Sequence, residues 1–294
     1  MIERGLRLDL ELVSWIFAKP EMHHWIDLYK RDLMPHGIRF FGHGHTHALH
    51  DTMDFEPAYD SFSTNFRLMR EWGLEPKAYA YPGSSGKRRS TQAANRLAGF
   101  ICARGSTLQR EDYFIAPGEL AEPDNWYFLP SVIMGNASFQ YIDVHEKLVP
   151  ILDEAVERTA WIILMYHAIG IPEGWSYYPI KDFLRDLDAI IARDFWSANM
   201  DAAACYLAER ASVRFSITDI SGTRDATVLQ VHVDDQLPDN IYDQPLTIMI
   251  RSKYAVGALE GALISVQHID DTRVTAELLP DGSTFTVQVL NRSI

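Results

Sequence analysis

Only two of the 294 residues are cysteine. Cys102 and Cys205 sit in Phe-Ile-Cys-Ala and Ala-Ala-Cys-Tyr. They are expected as small buried apolar side chains, not as a disulfide or a thiolate metal site. Positive charge is scarce too: 27 Lys and Arg face 40 Asp and Glu, for a net charge of −13. A nucleic-acid partner requires a cationic footprint that displaces counterions, so that class is excluded. No apolar run approaches the roughly 20 residues that cross a bilayer. Met1-Ile2-Glu3-Arg4 leads straight into an alternating segment, without the basic and apolar regions of a secretion signal. The expectation is a soluble chain with no membrane span, cytoplasmic as it stands. No repeat or low-complexity tract is present. With 47% hydrophobic residues, the length allows one large α/β barrel or two domains.

What the chain has in quantity, and in one place, is histidine. Phe41-Gly42-His43-Gly44-His45-Thr46-His47-Ala48-Leu49-His50-Asp51 holds four of the eleven histidines. Neutral imidazole is a common metal ligand because one ring nitrogen coordinates while the other is held by an acceptor. Several imidazoles this close are costly in an ordinary core, where each polar nitrogen needs a partner. A polar loop with scattered histidines is the plainer alternative.

The first two-thirds alternate strand-like and helix-like segments. Leu6 to Val13 alternates apolar and polar at period two, which predicts a strand with one buried face. Residues 21–33 read as a helix, and 37–41 as a short strand delivering the histidines at its C-terminal end. Phe62, Phe66, Met69 and Trp72 recur at helical spacing over 58–72, stopped by Gly73. A strand over 76–82 leads into a Gly/Ser loop at 83–86, then a helix over 88–98 and a strand over 100–103. After an irregular stretch, 145–160 reads as a helix. Trp161-Ile162-Ile163-Leu164-Met165-Tyr166 is a continuous apolar run ending at His167, predicted as a strand buried on both faces. Helix 180–194, strand 195–199 and helix 201–211 complete the alternation, which implies parallel strands with right-handed crossovers.

Beyond residue 212 the pattern changes. Segments 227–233, 246–250 and 284–289 read as short strands separated by Ser221-Gly222, Leu237-Pro238-Asp239-Asn240 and Pro280-Asp281-Gly282. The expected organisation is an α/β unit over 1–212 and a small antiparallel β-sandwich over 213–294. In α/β barrels the reactive groups come from the C-terminal ends of strands. Three polar features fall there: the histidine cluster, Tyr81-Pro82-Gly83-Ser84-Ser85, and His167.

The order of these motifs resembles the polysaccharide deacetylases, the NodB-homology proteins of carbohydrate esterase family four. His43-Gly44-His45-Thr46-His47 is similar to that family's metal-binding His-x-x-x-His motif. Tyr79-Ala80-Tyr81-Pro82-Gly83 is similar to its Phe-Ala-Tyr-Pro-x-Gly motif, and Ile163-Leu164-Met165-Tyr166-His167 to its apolar strand ending in His. The resemblance covers roughly residues 5–212. It implies a distorted (β/α) barrel and removal of acetyl groups from an N- or O-acetylated carbohydrate. A divalent metal, zinc in most of the family, would be held by His43 and His47 and would activate water as the nucleophile. Gly83 would supply an oxyanion-stabilising N–H and His167 would be the general acid. Tyr81, Pro82, Trp126 and Trp175 are the residues expected to line the sugar site.

The chain departs from the family in three places. The Asp-Asp pair of the family's first strand, catalytic base and third ligand, has no counterpart upstream of His43. Residues 5–13 correspond to the family's second strand, so the first is expected to be missing. Ala80 stands where the family has an Arg that orients the base. Asp51, His50, His45 and Glu11 are the available replacements for the third ligand. A missing strand would leave an exposed sheet edge, which a homodimer could cover. Two other readings stay open: a catalytically degenerate glycan-binding or structural module, and a calcineurin-like metallophosphoesterase, suggested by Gly44-His45-Thr46-His47 alone.

Overall fold

Leu8-Asp9-Leu10-Glu11-Leu12 forms strand β1 (Leu8–Leu12) in a computed structural model that describes residues 1–118, 121–137 and 142–290. Two short helices follow, α1 (Ser14–Phe17) and α2 (His23–Leu28), then β2 (Ile38–Gly42) and the long α3 (Phe55–Glu71). Next come β3 (Ala78–Ala80), α4 (Arg89–Leu97) and β4 (Cys102–Arg104). β1 to β4 form a parallel sheet in sequence order. A second parallel pair joins β5 (Val132–Ile133) to β6 (Leu164–Met165), separated by α5 (His145–Glu157) and followed by α6 (Ile180–Ala192) and α7 (Met200–Ser212). A single parallel bridge between Arg104 and Leu129 extends the first sheet past β4. Among the described residues, no strand pairing closes a ring from β6 back to β1.

Strand parity decides what faces the helices. Leu10 and Leu12 of β1 and Phe40 of β2 pack with Ile26, Met69 and Leu74 on the helical side. Asp9 and Glu11 therefore point to the opposite, inner face, as do Phe41 and, one step on, His43. On β4, Ala103 joins the cluster of Ala58, Phe62, Tyr79 and Phe100, which places Arg104 on the inner face as well. α3 presents Ala58, Phe62, Asn65 and Met69 inward at four- and three-residue spacing.

Two strand expectations are corrected. The run 161–166 is half-buried throughout rather than sealed on both faces, and only Leu164 and Met165 are in a strand. Ile162, Leu164 and Tyr166 pack against the α5 and α6 core. Ile163, Met165 and His167 fall on the other side by parity, which leaves that face open. Residues 195–199 form no strand. Instead their side chains meet β1: Ser197 Oγ accepts Arg7 N–H at 2.9 Å, and Asn199 Nδ2 donates to Leu8 O at 3.1 Å and Asp9 Oδ1 at 2.8 Å. Asp9 Oδ2 then accepts Met200 N–H at 2.7 Å, at the start of α7. These contacts tie residues 197–200 to the start of β1, and nothing in the fold supports the expected homodimer.

The chain divides into two compact units, Met1–Ala204 and Cys205–Ile294. The second unit holds seven antiparallel strands: β7 (Arg214–Gly222), β8 (Ala226–Asp234), β9 (Leu246–Arg251), β10 (Val256–Gly261), β11 (Ser265–Asp270), β12 (Arg273–Leu278) and β13 (Asp281–Leu290). They form a sheet ordered β10-β13-β8-β7 and another ordered β11-β12-β9. Val231, Val233, Val256, Phe285 and Val287 of the first share one apolar core with Val274 and Leu278 of the second. Cys102 and Cys205 are both buried, one on β4 and one on α7. No helix among the described residues is long and apolar enough to cross a membrane.

Candidate active site

The C-terminal end of β2 creates the site. Gly42 admits no larger residue: a Cβ there would lie 2.3 Å from Asn65 Oδ1 and 2.8 Å from the Phe100 and Tyr79 rings. That close approach lets His43 continue the pairing, its N–H donating to Leu12 O at 3.0 Å. The His43 Nδ1 lies 2.9 Å from Ala80 O. A carbonyl only accepts, so Nδ1 carries the proton and the Nε2 lone pair is left for a ligand. The chain then turns through His47 in the left-handed region, φ 58°, which costs energy for a residue with a Cβ. Its ring stands 4.8 Å from that of His43, centroid to centroid, at 69°. Two imidazoles sharing one tetrahedral ion through Zn–N bonds of about 2.0–2.1 Å would stand about 5 Å apart.

The other histidines of the cluster are occupied elsewhere. His45 Nδ1 pairs with Ser14 Oγ at 3.0 Å. His50 is fully buried, stacked on Phe62 at 4.2 Å, with Nε2 3.0 Å from Ser61 Oγ. Asp51 accepts Lys87 N–H at 2.8 Å, Arg88 N–H at 3.1 Å and the Thr91 hydroxyl at 2.8 Å, fastening the entry to α4. Three of the four replacement ligands therefore serve the loop itself. No group of three His, Cys, Asp or Glu side chains suited to a metal occurs among the described residues. The His43–His47 pair fits two corners of a metal site, and the remaining donors are not supplied by such a group.

His167 follows β6 on the open face. Trp175 meets its ring edge-on at 4.3 Å. Partial desolvation, then the Arg104 charge and His47, push the His167 imidazole down to about 4. His43 is also pushed down to about 4, mainly by burial, with His47 and His167 adding to the effect. His47 contributes to the lowering of both neighbours, behind the desolvation of each.

The loop after β3 separates into two parts. Gly83 is exposed at φ 55°, and a Cβ on it would lie 2.8 Å from Leu49 Cδ2, in the histidine loop. Tyr81 and Pro82 are buried. Tyr81 is 1% exposed and packs with Phe62, Tyr79 and Phe128. The expectation that Tyr81 lines a sugar site is therefore corrected: its ring is core. Trp126 lies alongside β4, its carbonyl accepting Ala103 N–H at 2.9 Å, and its indole is half-buried. Trp175 is 59% exposed and stands at the mouth through its contact with His167.

Two residues that the motifs did not single out for the site as a pair are Glu11 and Arg104. Arg104, 4% exposed in its side chain, pairs through Nη2 with Glu11 Oε1. Burial pushes the guanidinium down to about 9. The other Glu11 oxygen lies 3.3 Å from His43 Nδ1. The only sequence signal was a charge at the inner end of each apolar strand.

The buried His50 makes acid stability testable. Burial lowers its imidazole to about 4 in the fold, against about 6.5 unfolded. The neutral form is favoured in the native state, so its contribution is full above pH 6.5 and is lost as pH falls through about 4. Urea unfolding at pH 7 and pH 4.5 should show His50→Phe losing about 2 kcal/mol less than wild type over that interval. Equal losses would refute the assignment.

No family model and no curated protein matches the chain. Among solved structures, the family 4 carbohydrate esterase from Streptomyces lividans is 13% identical with a TM-score of 0.43, over 68% of this chain and 81% of that one. The carbohydrate deacetylase Agd3 is 10% identical with a TM-score of 0.48, over 92% of this chain, which spans only 47% of that protein. A family-four pseudoenzyme from Bacillus anthracis is 11% identical with a TM-score of 0.37, over 66% of this chain and 61% of that one. All three TM-scores lie under 0.5.

Proposed function

We propose that this chain is a hydrolase that removes acetyl groups from an N- or O-acetylated carbohydrate, built on a NodB-type barrel. His43 and His47 would be two of the ligands of a divalent cation, zinc being the one that imidazole donors suit, and its Lewis acidity is the chemistry it would supply. The observation that carries the reading is the pair of rings 4.8 Å apart, with the His43 tautomer set by Ala80 O. At neutral pH His167 is unprotonated. Its imidazole takes the proton released as water attacks the acetyl carbon, then returns it to the amine or alkoxide as the C–N or C–O bond breaks. The Gly83 N–H is the donor assigned to the carbonyl oxygen as charge develops there. Trp175 offers an exposed indole face to a sugar ring.

That exposed indole, held at the mouth by His167, favours one alternative: a glycan-binding module with the same residues around it. Acetate release separates the two. Purified protein incubated with acetylated chitin oligomers and acetylated xylan should release acetate with added zinc and stop with a chelator. Retention on either glycan with no acetate released under any metal would replace the hydrolase with the binding module.

A further inference from the structure

We propose that Ser84, clamped by Ser106, is the positioning residue for the Gly83 N–H: it locks the turn after β3 in a shape that leaves this one donor unspent. This rests on Gly83 being the donor proposed above, and it names residues that the motif does not contain. Pro82 has no N–H to offer. The N–H groups of Ser84, Ser85 and Gly86 donate to Tyr81 O, Pro82 O and Ser84 O, each at 3.0 Å. Gly83 N–H has no acceptor among the described residues, and Gly83 is exposed. Two successive left-handed residues produce this shape, Gly83 at φ 55° and Ser84 at φ 56°. Glycine enters that region freely, whereas a residue with a Cβ is strained there. On conformation alone, glycine would suit position 84 better. What serine adds is a hydroxyl. Its Oγ accepts Ser106 N–H at 2.8 Å and is hydrogen-bonded to the Ser106 hydroxyl, just beyond β4. The next residue is tied on another side: Ser85 Oγ accepts the N–H of Asp51, from the histidine run, at 2.8 Å. The turn is thus fastened to the segments that follow β2 and β4, and contacts outside it offset the strain at Ser84. A donor meant for charge that appears only during the reaction gains from being fixed beforehand, because no reorganisation is then needed.

The test compares Ser84→Gly and Ser106→Ala with wild type, using the whole chain. Ser84→Gly relieves the strain and removes the clamp, so stability and rate should part. Its Tm should hold or rise, while kcat for acetate release falls about tenfold or more with KM unchanged. Ser106→Ala keeps its N–H to Ser84 and loses only the hydroxyl, so its kcat should fall by less. On trifluoroacetylated chitin oligomers both deficits should shrink, because the fluorines carry part of the charge that the donor otherwise meets. Nitrogen-15 relaxation should give the Gly83 amide an order parameter of about 0.85 in wild type, dropping toward about 0.6 in Ser84→Gly. A folded Ser84→Gly with wild-type kcat and an unchanged Gly83 amide would overturn the proposal. A deficit equal on acetyl and trifluoroacetyl substrates would overturn it too, since the clamp would then be structural only. Should wild type release no acetate from any glycan, the hydrolase reading fails, and the Gly83 amide comparison alone decides whether Ser84 fixes that donor.

Discussion

His43→Ala and His47→Ala should each abolish zinc binding and acetate release together. The two rings offer the cation its imidazole donors, and losing either leaves one, below what a tight site requires. The lost Lewis acidity is worth several kcal/mol of transition-state stabilisation, on the order of a thousandfold in rate. Both quantities are measured on one sample: zinc per chain by elemental analysis and acetate by enzymatic assay. The fold should survive, because His47 is exposed and His43 borders the mouth rather than the helical core. A variant at either position that kept full zinc and turnover would remove the basis of the proposed function.

His167→Ala should separate binding from chemistry. The residue is not one of the pair proposed to hold the cation, so zinc should remain bound while kcat falls by about 10²–10⁴, the range for a positioned proton-transfer group. Its pH dependence is distinctive. The imidazole is lowered to about 4 by partial desolvation, Arg104 and His47, so it stays a proton acceptor throughout the neutral range. Wild-type kcat/KM should therefore hold to well below pH 6.5 and fall only as pH approaches about 4. An acid limb centred near 6.5, or a His167→Ala variant with wild-type kcat, would reassign the proton transfer to another group.

Much of the architecture was legible because periodicity is a local property. The apolar spacing of α3 and the alternation of β1 follow from side-chain geometry alone, and both elements form where the pattern places them. Residues 161–166 and 195–199 misled for the same reason. Apolar composition records a tendency to be covered, not which neighbour does the covering. In 161–166 one face packs on α5 and α6 while the other opens to the mouth. In 195–199 side-chain amide and hydroxyl groups satisfy β1 in place of a backbone ladder.

The histidine run shows the same boundary at finer scale. Four imidazoles close in sequence marked the region, yet their chemistry diverges: His45 binds Ser14, His50 is sealed against Phe62, and His43 and His47 face each other. Nothing in the spacing separates these outcomes, since each depends on what α1, α3 and β3 bring alongside. By itself the sequence determined most of the strand–helix alternation before residue 195, the change to antiparallel β structure, and the strand ends where polar residues gather. Only the tertiary structure decided that Tyr81 is core, that the His43 and His47 rings face each other, and that Glu11 meets Arg104 beside His43. Contacts between residues distant in the chain are set by how sheets curve and helices cover them, and no local pattern encodes that.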